Sequence, residues 1–232
     1  YVAGRGLGAR LGWSRQTTGA MILAVGLGNT LFVGYPLIEW RLGPEALPIA
    51  VLIDQLGSFL VLSTLAVVVA ASYGGAKVGW KQLAHRLAKF PPLLALLVAI
   101  AWGLSGTFSP ATGVVAVLEK LAACLVPLAV FSVGASLEIN VAVLQRRWPQ
   151  VTFGLVCKLV VLPALCVLVY GKLLALRGLP YQVTILQAAM APMATSAVLV
   201  SEFHLDEELA NLLLGLGIPL SIGTVYLWSL VL

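Results

Sequence analysis

The stretch VGLGNTLFVGYPL, residues 25–37, lies inside an apolar run long enough to cross a bilayer, yet it holds three glycines, a proline, an asparagine and a threonine. Within a helix Gly costs about 1 kcal/mol against Ala, and Pro about 3. A continuous helix through Gly28, Gly34 and Pro36 is therefore disfavoured. The amides freed by a break must face protein, water or a ligand, because hydrocarbon offers them no partner.

Composition sets this run in a membrane. Of 232 residues, 60% are hydrophobic and 10% charged, against about 25% charged in soluble domains, and the mean hydropathy is +1.02. A hydrocarbon core about 30 Å thick needs roughly 20 apolar residues per helix. Seven stretches qualify: 17–40, 46–71, 91–108, 111–137, 150–174, 181–203 and 207–232. Barrel-type alternation is missing from the sequence, so the expected fold class is all-α, a polytopic membrane protein with seven transmembrane helices.

The net charge of +5 follows topology rather than marking a nucleic-acid partner. Arg5, Arg10, Arg15, Lys77, Lys81, Arg86, Lys89, Arg146 and Arg147 fall on one side if every span crosses, leaving Arg41, Lys172 and Arg177 on the other. The positive-inside bias then puts 1–16, 72–90 and 138–149 in the cytoplasm and the C-terminus outside, as in a bacterial inner-membrane protein. Residues 76–90, AKVGWKQLAHRLAKF, space Trp80, Leu83, Leu87 and Phe90 for a helix lying on the anionic leaflet. A solvated linker is the other reading.

Reaction chemistry is not visible. Cys124, Cys157 and Cys166 lack C-x-x-C spacing and read as small packing residues, while His85 and His204 have no metal-ligand spacing. Neither His is deep enough to activate a serine. The glycines of 26–34 lack the Lys-Ser/Thr ending of a phosphate loop. Neither an enzyme nor a bound metal or cofactor is expected.

Sliding the chain by 163 residues aligns 22–45 with 185–208 without a gap, matching Ile22 to Ile185, Leu23 to Leu186, Glu39 to Glu202, Trp40 to Phe203, Arg41 to His204, Leu42 to Leu205 and Glu45 to Glu208. The copies sit five spans apart and so cross in opposite directions, the pattern of an inverted-topology repeat. Such repeats place substrate at the midplane, where interrupted helices meet and expose half-helix ends. Gly28, Gly34 and Pro36 loosen the first copy and Pro192, followed by Met193, the second. Two half-helix N-termini would present partial positive charge to a carboxylate, with Asn29, Thr30, Thr195 and Ser196 completing the shell. Tight packing or a simple kink is the plainer reading of one such span; matched interruption of both favours a site.

At GNTLFVGYP (28–36) the sequence resembles the broken fourth helix of the auxin efflux carrier family. PEALPIAVLIDQLGSFLVLSTL (44–65) is similar to the helix that follows in bacterial members, LAACLVPLAVFSVGASL (121–137) to the seventh, and QAAMAPMATSAVLVSEFHLDEELANLLLGLGIPLS (187–221) to the ninth and tenth. The resemblance implies a ten-helix protein of two inverted five-helix repeats, with a bile acid:sodium symporter-like fold, two broken crossing helices and transport of organic anions. The first crossing carries over to Gly28, Asn29, Thr30, Gly34 and Pro36. The second departs from the family's Met-Pro-Pro and Asn pattern, with Met190, Ala191 and Pro192, then Thr195 where the Asn would fall.

The chain starts at Tyr1 without an initiator Met and reads as N-terminally truncated, three helices of the first repeat being expected before it. The expected organisation is 1–16, the end of a truncated helix and a cytoplasmic loop; 17–71, the last two helices of the first repeat; 72–89, the amphipathic linker; and 90–232, the second repeat.

Asp54, followed by Gln55, lies mid-span with no basic residue within a helical turn. A carboxylate there costs at least about 2.5 kcal/mol on insertion scales and marks an ion or proton path, or else a satisfied structural hydrogen bond. Lys158, inside the fifth span, can pair with Asp54, attract the anion or snorkel to a helix end. Glu119, Lys120, Glu39, Glu138 and Glu202 read as interfacial. Asp206, Glu207 and Glu208 read as a helix start.

The leading expectation is thus a secondary transporter of small organic anions, coupled to H+ or Na+, in the lipid bilayer and open to homodimer formation. A non-transporting receptor or scaffold subunit of the same fold is the alternative.

Overall fold

In the computed structural model, which describes residues 6, 8–76, 78–89, 91–106, 113–135 and 140–232, the chain folds into helices α1 (Arg15–Gly26), α2 (Gly34–Leu42), α3 (Pro44–Gly74), α4 (Trp80–Ala88), α5 (Pro91–Leu104), α6 (Gly113–Ala135), α7 (Val141–Leu173), α8 (Leu179–Ala188), α9 (Ala194–Glu202) and α10 (Glu207–Val231). No strand is formed among the described residues.

Among the described residues, α3, α7 and α10 are long and apolar enough to cross a membrane uninterrupted. The first and sixth expected spans are each divided, into α1 with α2 and α8 with α9, which leaves every piece at 12 residues or fewer. Helix α5 has 14 residues, about 21 Å at 1.5 Å per residue.

The helix starts follow local chemistry. Ser14 caps α1 by accepting from the Thr17 amide at 3.0 Å. Asp206 caps α10 by accepting from the Leu209 amide at 3.2 Å, so the acidic run opens that helix as its sequence suggests. Asn140 accepts from Ala142 and Val143 and starts α7 at Val141. Helix α7 thus begins nine residues before the start expected for the fifth span: Arg146 and Arg147 stand on it and reach across to Glu208 at 2.7 Å and Asp206 at 3.3 Å.

Helix α4 forms, and its Leu83 is buried in the same core as Leu62 and Ala66 of α3. This helix therefore packs on protein, not only on a lipid surface. Arg5, Lys77, Phe90 and Glu138, and the side chains of Trp80, Arg86 and Leu87, lie outside the described residues.

Three apolar cores hold the bundle. Leu23 of α1 packs with Val67 of α3, Val200 of α9 and Phe203 just beyond it. Ile38 of α2, Ala50 of α3 and Leu186 and Met190 around the end of α8 form the second. Met21 of α1, Val151 and Leu155 of α7 and Leu213 of α10 form the third. Many other large apolar side chains face outward, among them Leu65, Phe131, Val198 and Leu104. Leaving each such side chain in water would forgo roughly 1.5–3 kcal/mol, whereas lipid solvates them. The protein is an integral membrane protein.

Candidate functional site

Helix α1 stops at Gly26 and the chain resumes helical form only at Gly34; α8 stops at Ala188 and α9 begins at Ala194. The two gaps meet. Gly28 and Pro192 face each other in an isolated antiparallel bridge, with the Asn29 amide donating to the Ala191 carbonyl at 2.8 Å and the Met193 amide to the Leu27 carbonyl at 3.1 Å. In this pattern the central pair makes no cross-strand hydrogen bond of its own, so the missing N–H of Pro192 costs the bridge nothing.

Small residues let this junction close. A Cβ on Gly28 would lie 3.2 Å from Lys158 Nζ and 3.3 Å from the Gln187 carbonyl oxygen, and one on Gly34 would lie 2.6 Å from Gln187 Oε1. On α10, a Cβ at Gly217 would come within 2.6 Å of Pro192 Cδ. Pro36 plays a different part from the one its sequence suggests. It sits in the first turn of α2, where the amide has no intrahelical partner to lose, and so it does not interrupt the helix.

The polar residues of the first gap serve it internally as well. Asn29 is 1% exposed; its Oδ1 accepts from the Phe32 amide at 3.2 Å, and its carbonyl accepts from the Gly34 amide at 2.9 Å. Its Nδ2 has no hydrogen-bond partner among the described residues. In the second gap the Ser196 hydroxyl donates to the Met193 carbonyl at 2.6 Å.

Asp54 is buried at the start of a wide π-helical turn, Asp54–Phe59, in α3. Its carboxylate accepts from the Thr30 hydroxyl, from the Tyr35 hydroxyl at 3.2 Å and from Gln55 Nε2 at 2.8 Å. Lys158 occupies a second wide turn, Cys157–Val161 of α7, and is 3% exposed. No ion pair joins it to Asp54 among the described residues. Buried ionic groups without a partner are costly and usually functional.

Two cavities flank the extended segment. Gly28 and Thr30 line the larger, of about 350 Å³, together with Lys158, Gln187 and Ser58. Asn29 and Leu31 line the smaller, of about 240 Å³, together with Asp54, Gln55, Met193 and Thr195. Residues 26–28 and 30 border the larger cavity and residues 29, 31 and 32 the smaller, so this segment of the junction forms a wall between them. Gly34, Pro36, Pro192 and Ser196 line neither of the two.

Gln187 and Tyr35 were not singled out by sequence. Gln187 carried a signal, as a long amide in an apolar span just before the break; Tyr35 was hidden within an otherwise apolar motif.

A helical membrane protein that gathers a buried cation, a buried carboxylate and two cavities where interrupted helices meet is built as a transporter. The chain belongs to the family described as membrane transport protein, the auxin efflux carrier-like family, whose model matches residues 7–229. It is similar to an uncharacterized transporter of Methanothermobacter thermautotrophicus, 30% identical over 223 residues that make up 96% of this chain and 71% of the relative. It is also similar to an uncharacterized transporter of Methanocaldococcus jannaschii, 27% identical over 94% of this chain and 69% of the relative.

Proposed function

We propose that the protein is a secondary transporter of small organic anions, which bind in the larger cavity beside the junction of residues 27–33 and 189–193. The observation that carries this reading is Lys158, a buried cation without an ion-pair partner among the described residues, held against the gap at Gly28. An anion entering the cavity would supply the missing charge. Thr30 and Gly28 contribute to its wall, and Asn29, Met193 and Thr195 lie on the far side with the coupling residues Asp54 and Gln55.

Coupling runs through Asp54, by protonation of the carboxylate that accepts from the Thr30 and Tyr35 hydroxyls and from Gln55 Nε2; Na+ held by the same carboxylate and hydroxyl oxygens is the other coupling ion that such a site allows. An inverted repeat underlies the site: the bridge pairs residues 28 and 192, one residue from the partner that the 163-residue offset assigns to Gly28.

The test is uptake of radiolabelled propionate and phenylacetate into liposomes holding the purified protein, with a pH or a Na+ gradient imposed. Uptake driven by the pH gradient and lost in Asp54→Asn supports the reading. If neither gradient moves a carboxylate, and none raises the unfolding temperature by mass action, the reading fails.

A further inference from the structure

Between Asp54 and Glu119 the sequence carries no acidic residue. Helix α4 lies in that interval, and Lys81, His85 and, one residue past the helix end, Lys89 are exposed. The Lys89 amide still donates to the His85 carbonyl at 3.2 Å, so the helical turn runs on through it. At about 100° per residue the three fall within about 80° of arc, with Leu83 about 160° from their middle. One face of α4 is thus basic, and Leu83 on the opposite side is buried. No ion pair reaches Lys81 or Lys89 among the described residues.

What supplies the counter-charge follows from where the helix sits. With 31 residues, α3 is about 46 Å long at 1.5 Å per residue, against about 30 Å of hydrocarbon, so its ends reach the headgroups. Helix α4 packs on the Leu62–Ala66 turn of α3, about 12–18 Å from the α3 end at Gly74. That is the level of the outermost methylenes and the lipid phosphates. Lysine stems snorkel from such a depth to the phosphates, and clustered cations there attract anionic headgroups.

The buried side ties this surface to the site. Leu83 shares a core with Phe59, Leu62 and Met193, and those three line the smaller cavity with Asp54. Close-packed interiors transmit strain, so the position of α4 reaches that cavity through contiguous side chains.

We propose that the basic face of α4 is a binding surface for anionic membrane lipid, and that lipid bound there holds α4 against α3 and supports the packed geometry around Asp54. With Leu83 taken up by the protein core, attachment to the membrane falls to Lys81, His85 and Lys89. The binding is independent of substrate; its effect on uptake rests on the transport reading above.

The test uses the purified protein, unaltered and as the double variant Lys81→Gln/Lys89→Gln, in detergent and in liposomes. Phosphatidylglycerol is expected to raise the unfolding temperature in detergent by about 3 °C or more beyond the effect of phosphatidylcholine, as a ligand of the folded state does. The double variant is expected to lose at least half of that difference. Propionate uptake is expected to be about threefold or more faster in vesicles with about one-third phosphatidylglycerol than in pure phosphatidylcholine, and the double variant to show less than half of this response. Equal stabilisation by the two lipids, or a difference that the double variant keeps in full, would overturn the proposal while leaving anion transport standing. Stabilisation that depends on the two lysines, joined to uptake indifferent to lipid charge, would refute the link to Asp54. If neither kind of vesicle takes up a carboxylate, the transport reading fails, and the unfolding temperatures alone decide the lipid surface.

Discussion

Thr30 and Asp54 are joined across the wall between the two cavities: the Thr30 hydroxyl donates to the Asp54 carboxylate, with Thr30 lining the larger space and Asp54 the smaller. Occupancy on one side can therefore reach the titrating group on the other through one hydrogen bond. Thr30→Val keeps the shape and removes the donor. It is expected to cost about 1.5–3 kcal/mol of stability, the range for hydrogen bonds to charged groups. Uptake should become less dependent on the pH gradient. Thermal unfolding in detergent and gradient-driven flux measure the two effects separately.

Lys158 yields a prediction of opposite sign for stability and activity. Its ammonium is buried without an ion pair among the described residues, and a charge at such depth costs about 2.5–3.5 kcal/mol on insertion scales. Lys158→Met fills similar volume without that cost. The variant should unfold at a higher temperature in the absence of ligand and take up no anion. Loss of stability together with normal uptake would show that the cation is structural.

Two glycines of α10 separate packing from propensity. A Cβ at Gly217 would meet Pro192 Cδ at 2.6 Å, whereas one at Gly223 meets nothing within 4 Å. Gly217→Ala should destabilise by about 1–3 kcal/mol through overpacking and disturb the second gap. Gly223→Ala should be neutral or stabilising by up to about 1 kcal/mol, the helix preference for Ala over Gly. Paired unfolding curves of the two variants check the contrast.

Asp206 ties three helices at one end of the bundle. It caps α10, accepts from the Thr17 hydroxyl of α1 at 2.7 Å and pairs with Arg147 of α7 at 3.3 Å. Asp206→Ala should cost about 2–4 kcal/mol, adding a lost cap of about 1 to the unpaired groups left behind. Asp206→Asn keeps an acceptor for the cap and should lose less. Unfolding temperatures of the two variants rank them.

What could be read from sequence was the chemistry confined to one segment. Gly28 followed by Asn29 and Thr30 announces a break with polar lining, and the structure interrupts the helix there. The meeting of the two gaps followed from the repeat offset, but the place of Lys158 did not: nothing in the fifth span says that its ammonium lies against Gly28, or that its distance from Asp54 leaves the two unpaired. The wide turns that carry Asp54 and Lys158 have no periodic signature, because they shift register by one residue within an apolar helix. Pro36 misled for a physical reason, since proline ends a helix from its interior but begins one from its first turn. Gln187 was a visible polar residue, but only packing reveals that its side-chain amide is buried against Gly34.

The most direct test of the account is uptake by Gly28→Val. Gly28 is outside the left-handed region, so a side chain meets no backbone strain there; its Cβ would stand 3.2 Å from Lys158 Nζ and 3.3 Å from the Gln187 carbonyl oxygen, contacts that a shift of a few tenths of an ångström relieves, and the two further methyls are expected to intrude on the larger cavity. The account predicts a folded, monodisperse protein that neither takes up propionate nor gains thermal stability from it. Uptake by Gly28→Val with the KM of the unaltered protein would contradict it, because the anion would then bind somewhere other than the junction.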